Sequence, residues 1–313
     1  MKKILLSGLG GSLFPYLNEV LKHKFLLYYL DNDISLHALY PHVNFIHAPL
    51  VTENAYKDLV INLIKENSID YYLPLIDEEL YLAKKEMTEE TSVHVIAPSS
   101  TFIHLCLNKY ELMKFLKQQK ISKIESVLGS EFKDQIEYPL FVKPVSGRGS
   151  RGIRKINSKR ELEAYYILEG YDPKDVLVQP YVEGQEYTVG ITVNNLNNIL
   201  CISSKRILAK KGITKIAVTE INEKINFLAK RLVEIMKPVG PMNVQLFVTN
   251  DGEIKIFEIN PRFSTTTILE IEAGVNVIEK YVETIDQEII NPICFPESGV
   301  YIHRIWESVF YHE

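Results

Sequence analysis

The fold class predicted by the sequence is α/β at the amino-terminal end and α+β beyond it, and three observations carry that expectation. Up to about residue 100, short apolar runs bounded by turn residues alternate with helical patterns, which is the signature of a parallel, doubly wound sheet. From residue 176 onward long strands dominate, broken by one amphipathic helix, which implies an antiparallel sheet. Between two of those strands stands Asn250-Asp251-Gly252, a strong hairpin signal.

The first strands are KILLSG, FLLYYLD, VNFIHA, YYLPLI and VHVIAP. Gly8, Gly10 and Gly11 break the apolar start, so the leading lysines are expected to open a strand, turn and helix rather than a secretory leader. Thr52 is expected to cap a helix whose Ala55, Leu59, Val60, Leu63 and Ile64 form one apolar stripe. Near residue 104 the rhythm changes. Asn108 with Glu111, and Ser158 with Glu161, are capping patterns for two helices. Between them PLFVKPVSGRGSRGIRKI reads as strand, glycine-rich loop and strand. The later strands are VLVQPYV, YTVGITVN, ILCISSKRIL, MNVQLFVTN and EIKIFEIN, with a helix expected from Thr219 to about Met236.

With 313 residues the chain has room for two or three compact units. A formal net charge of −5 argues against broad nucleic-acid binding but leaves room for a local basic pocket. No window holds the ~18 consecutive apolar residues of a transmembrane helix. Cys106, Cys201 and Cys294 are far apart and in no metal-ligand spacing, so a disulfide framework or zinc site is not expected and a reducing cytoplasm is the simplest setting.

If Asp251 and Gly252 form the hairpin loop, Gln245 faces Glu258 and Asn243 faces Asn260. The period of two puts these four side chains on one face, with Val244, Leu246, Val248, Phe257 and Ile259 on the other. Oxygen ligands with few charges suit magnesium, which keeps waters and completes its shell with substrate phosphates. The alternative is a solvated outer face, which accounts poorly for two amides, an acid and a following Pro261-Arg262.

In FVKPVSGRGSRGI a strand delivers Lys143 into a loop with Gly147, Gly149 and Gly152, flanked by Ser146 and Ser150. Such a loop can turn backbone N–H groups onto a polyanion, or be a plain glycine-rich connection. It lacks the spacing of a Walker loop. Gln179 and Glu186 bracket an extended connector, and a carboxylate there is either a partner for hydroxyls or a surface acid. The basic run from Lys205 to Lys215 is either a solvated loop or an anion-binding arm.

Taken in order, NKYELMKFL, YPLFVKPVSGRGSRGI, VQPYVEGQEYTVGI and NVQLF…IFEINPRFS resemble the ATP-grasp superfamily, in its carbamoyl-phosphate-synthetase-like branch. The resemblance covers nearly the whole chain, and PLIDEEL, Pro74 to Leu80, looks like the acidic loop after the fourth strand of that family's first domain. It implies a Rossmann-like pre-ATP-grasp domain over residues 1–104, a small subdomain with a lid loop over 105–181, and a large antiparallel-sheet subdomain with the metal and ATP site over 182–313.

The resemblance also implies roles. Lys109 and Lys143 look like the basic residues on the nucleotide phosphates, and Ser146, Gly147, Gly149, Ser150 and Gly152 like parts of the lid. Gln179, where the family commonly has an acid, looks like part of the adenine hinge with the backbone of Tyr181 and Val182, and Glu186 like the ribose ligand. Gln245, Glu258 and Asn260 look like magnesium ligands, with Glu258 bridging two ions. Arg262 looks like the residue that steadies the transferred phosphate, and Lys205 and Arg206 are expected to reach the same anion. The implied cofactors are ATP and magnesium, with manganese as a substitute.

Such enzymes phosphorylate a carboxylate, and an amine then attacks the acyl phosphate. The implied partners are a small carboxylate and an amine, with no nucleic acid and no membrane, and family members are often homodimers. Two alternatives stand beside this: an enzyme phosphorylating bicarbonate or carbamate, and a nucleotide-binding sensor without turnover. The eight histidines are left without a catalytic role, and His303 is expected to be packed. The closing GVYIHRIWESVFYHE resembles the tail of short single-unit members that modify surface sugars or small metabolites. Specificity is expected from Asp77 to Glu79, from residues 204–215, and from Ser264 and Thr265 to Thr267, whose hydroxyls either meet the acceptor or cap the next helix.

Overall fold

The computed structural model describes residues 1–8, 13–147, 149, 151–287 and 292–305. Gly10, Gly11, Arg148, Ser150 and residues 306–313 of the closing segment lie outside them. Strands β1 (Lys2–Ser7), β2 (Phe25–Asp31), β3 (Asn44–His47), β4 (Tyr71–Leu73) and β5 (His94–Val95) form a parallel sheet in the order β3-β2-β1-β4-β5. The unbroken apolar runs of β1 and β4, at the centre of the sheet, reflect burial on both faces, whereas the edge strand β3 stays partly exposed. Ile4 and Leu6 of β1 join one core with Leu13, Phe14 and Leu17 from the start of α1 (Phe14–Leu21), whereas Leu5 joins another.

The short α2 (Ser35–Leu39) precedes α3 (Asn54–Asn67), which packs Tyr56, Val60, Ile61 and Ile64 into that second core. Thr52 is not its cap. Glu53 occupies that position, and its carboxylate accepts from the Leu50 amide at 2.8 Å. Ala55 is exposed because the larger Tyr56 takes the place against the sheet.

The strand order reverses at β1 and β4, and the crevice beyond their carboxyl ends is where such sheets place ligand sites. Here α4 (Asp77–Leu82) begins, running through a π-helical turn, Ala83–Met87, into α5 (Thr88–Glu90). Fully buried Glu79 accepts from five donors: the Ser7 hydroxyl, Tyr56 OH at 2.6 Å, Tyr72 OH at 2.8 Å, and the Leu75 and Ile76 amides at 2.9 and 3.0 Å. Burial pushes its pKa up, and the hydrogen bonds pull it back.

Beyond β5, α6 (Ser100–Leu107) leads into α7 (Lys109–Gln118), whose cap is as expected: Asn108 Oδ1 accepts from the Tyr110 and Glu111 amides, each at 3.1 Å. A second sheet contains β6 (Val127–Leu128), β7 (Leu140–Pro144), β8 (Arg154–Ile156) and β9 (Val176–Pro180) in the antiparallel order β6-β9-β7-β8. Helix α8 (Lys159–Glu169) covers one of its faces through Leu162 and Tyr165. Ser158 accepts from the Glu161 amide at 3.3 Å, but the Glu161 carboxylate reaches the Asn157 amide rather than that of Ser158.

The third sheet has the order β14-β13-β10-β11-β12-β15, with every described pairing antiparallel. Its strands are β10 (Gln185–Val193), β11 (Ile199–Lys211), β12 (Ile213–Thr219), β13 (Gly240–Val248), β14 (Ile254–Asn260) and β15 (Tyr301–His303). The expected helix from Thr219 begins later, as α9 (Glu223–Met236), capped by Asn222. Residues 213–219 are rich in β-branched side chains and instead pair with β11, so the basic run is a hairpin rather than a loop. His303 is exposed, because period two turns Ile302 inward and its neighbours out. After β14, α10 (Thr267–Glu272) and α11 (Val277–Gln287) follow, and Ile268, Val277, Ile278 and Tyr281 enter the same core as Ile4 and Phe14.

Glu79→Leu strands five donors in a buried site, so a loss of about 3–5 kcal/mol is expected in urea unfolding. A loss under roughly 1 kcal/mol would show that the network is not what holds the β1–β4 crevice.

Candidate active site

The 243–260 hairpin reaches its register by a different route from the one expected. The Thr249 amide bonds to Glu253 O at 3.0 Å, and Gly252 sits at φ 80, so the loop has three residues and shifts the pairing by one. A bulge between Gln245 and Leu246, where Phe257 is the extra residue, restores it: Gln245 pairs with Glu258 and Asn243 with Asn260. Phe257 therefore leaves the core face and stacks on Phe247 at 4.8 Å, while Ile256 takes the buried place.

The register continues across the sheet. Thr188 pairs with both Gln245 and Lys205, and Gly190 pairs with Asn243 and Ser203. One face thus gathers Glu258, Asn260, Asn243, Gln245, Thr188 and Glu186, and the other is the apolar core against α7 and α9. Asn243 Oδ1 is buried with no hydrogen-bond partner among the described residues. Lys210 Nζ reaches back over this face to Glu186 Oε1 at 2.6 Å and Gln245 Oε1 at 3.3 Å, so an ammonium stands between the expected ribose ligand and one expected magnesium ligand. Among the described residues no group of three His, Cys, Asp or Glu side chains could hold a metal, so any site here rests on amide oxygens beside Glu258.

The second sheet supplies the opposing wall. Lys143 on β7 is fully buried, and its ammonium donates to Phe257 O at 2.8 Å. Desolvation lowers its pKa to about 8, aided by Lys109 and Lys210 and opposed by Glu258. Lys109, the first residue of α7, donates to Gly147 O at 2.7 Å. In the glycine-rich loop Gly147 and Gly149 have φ of 115 and 72, conformations that a side chain would strain. Ser146 and Gly149 are exposed, and Gly152 lies against the Tyr171 ring. Gln179 is buried, with its amide nitrogen on Ser126 Oγ at 2.7 Å. The Tyr181 amide is taken by Pro139 O at 2.9 Å, so of that pair of expected hinge groups the Tyr181 carbonyl and the Val182 amide remain.

Arg262 follows β14 and meets the amino-terminal crevice. Its Nε and Nη2 donate to Asp77 Oδ1 and Oδ2 at 2.5 and 3.0 Å, and Nη1 donates to Phe263 O at 3.1 Å. Lys205 and Arg206 do not join it. Lys205 points to the site face but is fully buried in an ion pair with Glu270, seated over Gly190, where a Cβ would lie 2.1 Å from Glu270 Oε1. Arg206, one residue on, points to the opposite face and pairs with Glu220 at 2.8 Å. Ser264, Thr266 and Thr267 spend their hydroxyls within the turn before α10, and Thr266, at the cap position, makes no side-chain bond to the helix's first amides. The residues missed in the sequence are Lys210, one charge among several in the basic run, and Glu270, which no local pattern singles out.

The ATP-grasp domain family matches residues 106–266, and the PylC-like, N-terminal domain family matches residues 4–97. The chain is 23% identical over 255 residues to the carbamoyl phosphate synthase large chain of Clostridium acetobutylicum, using 75% of itself and spanning 24% of that relative's length. It is 24% identical over 253 residues to D-alanine--D-alanine ligase of Bacillus licheniformis, covering 69% of each chain. Its fold is that of the biotin carboxylase domain of Hydrogenobacter thermophilus 2-oxoglutarate carboxylase, solved with MgADP, ADP and bicarbonate. There the TM-score is 0.76 at 16% identity, over 93% of this chain and 71% of that one. No helix among the described residues is long and apolar enough to cross a membrane.

Because the folded pKa of Lys143 lies below the ordinary lysine value of 10.5, its buried charge costs stability below about pH 8, and the cost is relieved as pH rises to 10.5. Relative to Lys143→Met, the wild-type protein should therefore gain roughly 3 kcal/mol across that window in urea unfolding. Parallel pH profiles would contradict the burial of a charged Lys143.

Proposed function

The chain belongs to the ATP-grasp family, and from that premise we propose that it is an ATP-dependent ligase that activates a carboxylate as an acyl phosphate and joins it to an amine. The observation that carries this reading is the cross-sheet row on which Glu258, Gln245 and Asn260 face the cleft opposite Lys143. In it, a carboxylate oxygen attacks the γ-phosphorus of ATP and the bond to the bridging oxygen of ADP breaks. The amine then attacks the acyl carbon, phosphate leaves, and the amine gives up a proton.

The residues fit a magnesium site. The orphaned Asn243 oxygen, the amides of Gln245 and Asn260 and the Glu258 carboxylate are all oxygen donors on one sheet face. Glu258, Gln245 and Asn260 would hold magnesium there, and the metal would supply charge neutralisation for the transferred phosphoryl group. Lys109 and Lys143 bind phosphate oxygens, the loop 146–152 excludes water, Glu186 takes the ribose, and Gln179 with Tyr181 and Val182 takes the adenine. Arg262 steadies the transferred group, as a fixed donor aimed at developing charge. Lys205 has no place in this scheme except as the buried partner of Glu270.

A second reading, phosphorylation of bicarbonate, is favoured by the likeness to carbamoyl phosphate synthase and to a carboxylase domain solved with bicarbonate. An ADP-release screen over amino acids, amino sugars and bicarbonate separates the two. Stimulation by bicarbonate with ammonia alone would overturn the ligase reading. In the stimulated reaction Glu258→Gln is expected to lower kcat by about 10²–10³ while MgADP still binds. Unchanged turnover would instead favour a nucleotide sensor. Chelation with EDTA should abolish ADP release, and magnesium or manganese should restore it; turnover persisting in EDTA would remove the metal from the scheme.

A further inference from the structure

The donors of Arg262 are divided unequally, and the division has a direction. A guanidinium carries five N–H groups. The Nε edge is closed by Asp77 through two bonds of 2.5 and 3.0 Å, and Nη1 spends one hydrogen on Phe263 O at 3.1 Å. These three bonds leave two of the five hydrogens, one on each Nη, for an oxyanion to accept. We propose that Asp77 is a positioning residue for the reaction: it grips Arg262 by its side edge so that the two remaining hydrogens are held toward the transferred phosphate. This rests on the role given to Arg262 above.

Three features support positioning over a chance surface contact. Asp77 is 8% exposed and stands at the first position of α4, in the crevice where the amino-terminal sheet reverses its strand order. The two residues before it are tied by their neighbour: the Leu75 and Ile76 amides both bond to Glu79 Oε1, at 2.9 and 3.0 Å, and Glu79 is locked by Ser7, Tyr56 and Tyr72. The carboxylate is therefore presented from a rigid loop on one domain to a flexible side chain on another, where it removes rotamer freedom before any ligand arrives.

The alternatives for Arg262 give the third feature. Its guanidinium also feels the charges of Glu258 and Glu78. Released from Asp77, it would be drawn toward Glu258 and compete for the carboxylate that the metal needs. A carboxylate that merely parked the arginine in an inactive state would take the two remaining Nη hydrogens. Asp77 leaves both.

The test uses the full chain and two probes, MgADP and the magnesium complex of the β,γ-imido analogue of ATP, titrated by calorimetry into wild type, Asp77→Asn, Arg262→Lys and the double variant. The expected result is an unchanged MgADP affinity in all four, and about a tenfold loss of imido-analogue affinity in each single variant, with the double no worse. With an active substrate pair in hand, kcat for Asp77→Asn should fall at least tenfold with KM for ATP nearly constant, a split that a merely structural defect would not produce.

If Arg262→Lys weakens the analogue and Asp77→Asn binds it as tightly as wild type or more so, Asp77 does not position the arginine and the proposal is overturned. If Arg262→Lys itself changes nothing, the role of Arg262 fails first and the proposal falls with it. Should Asp77→Asn not yield folded protein, as judged by MgADP binding, Asp77→Ser carries the same comparison.

Discussion

One surplus residue in β14 governs what the largest sheet can offer. The three-residue turn at Asn250 to Gly252 leaves β13 and β14 one position out of step, and without correction Glu258 and Asn260 would point into the apolar side with Leu112 and Leu232. Burying a carboxylate and an amide there would cost several kcal/mol (roughly 2–7 for an unpaired polar group alone). The bulge at Phe257 returns both to the cleft and lets Ile256 and Ile259 fill the core together. It also frees a main-chain acceptor, because a bulged residue falls outside the ladder. That acceptor, Phe257 O, is the one Lys143 takes, and so the same irregularity joins the second sheet to the third.

The cations of the cleft are held by partners that a stronger anion could displace. Lys109 and Lys143 rest on backbone carbonyls, Lys210 on Glu186 and Gln245, and Arg262 on the Asp77 carboxylate and Phe263 O, which leave part of its donor set unspent. The Lys205–Glu270 pair is the contrast: sealed beneath the sheet face and fitted around Gly190, it is a closed internal pair. Local arrangement decides this division, since the formal net charge of the chain is −5.

Much of this was legible before any coordinates. Period-two alternation placed Gln245, Glu258, Asn243 and Asn260 on one face, and short apolar runs announced the parallel sheet. What stayed hidden depends on long-range geometry. The bulge cancels an error in turn length, and neither is marked by residue type alone. Lysine and glycine in the hairpin tip disguise the strand 213–219, and α9 starts at Glu223, after that strand ends at Thr219. Arg206 and Lys205 are adjacent in sequence and both basic, yet the pleat sends them to opposite faces. Asp77 was visible as an acid in a loop, but its partner lies 185 positions away, a separation at which single-sequence patterns say nothing.

The core beneath the amino-terminal sheet crosses the boundaries drawn by homology. The ATP-grasp match ends at residue 266, but Ile268, Val275, Val277, Ile278 and Tyr281 lie beyond it and pack in one cluster with Ile4, Leu6, Phe14 and Tyr71. A fragment cut at either family limit would uncover a contiguous apolar face that the intact chain keeps dry. The segments matched by the two families are therefore not separable folding units here. The amino-terminal sheet owes part of its stability to the far end of the chain, and the two halves should melt as one cooperative body rather than as beads on a linker.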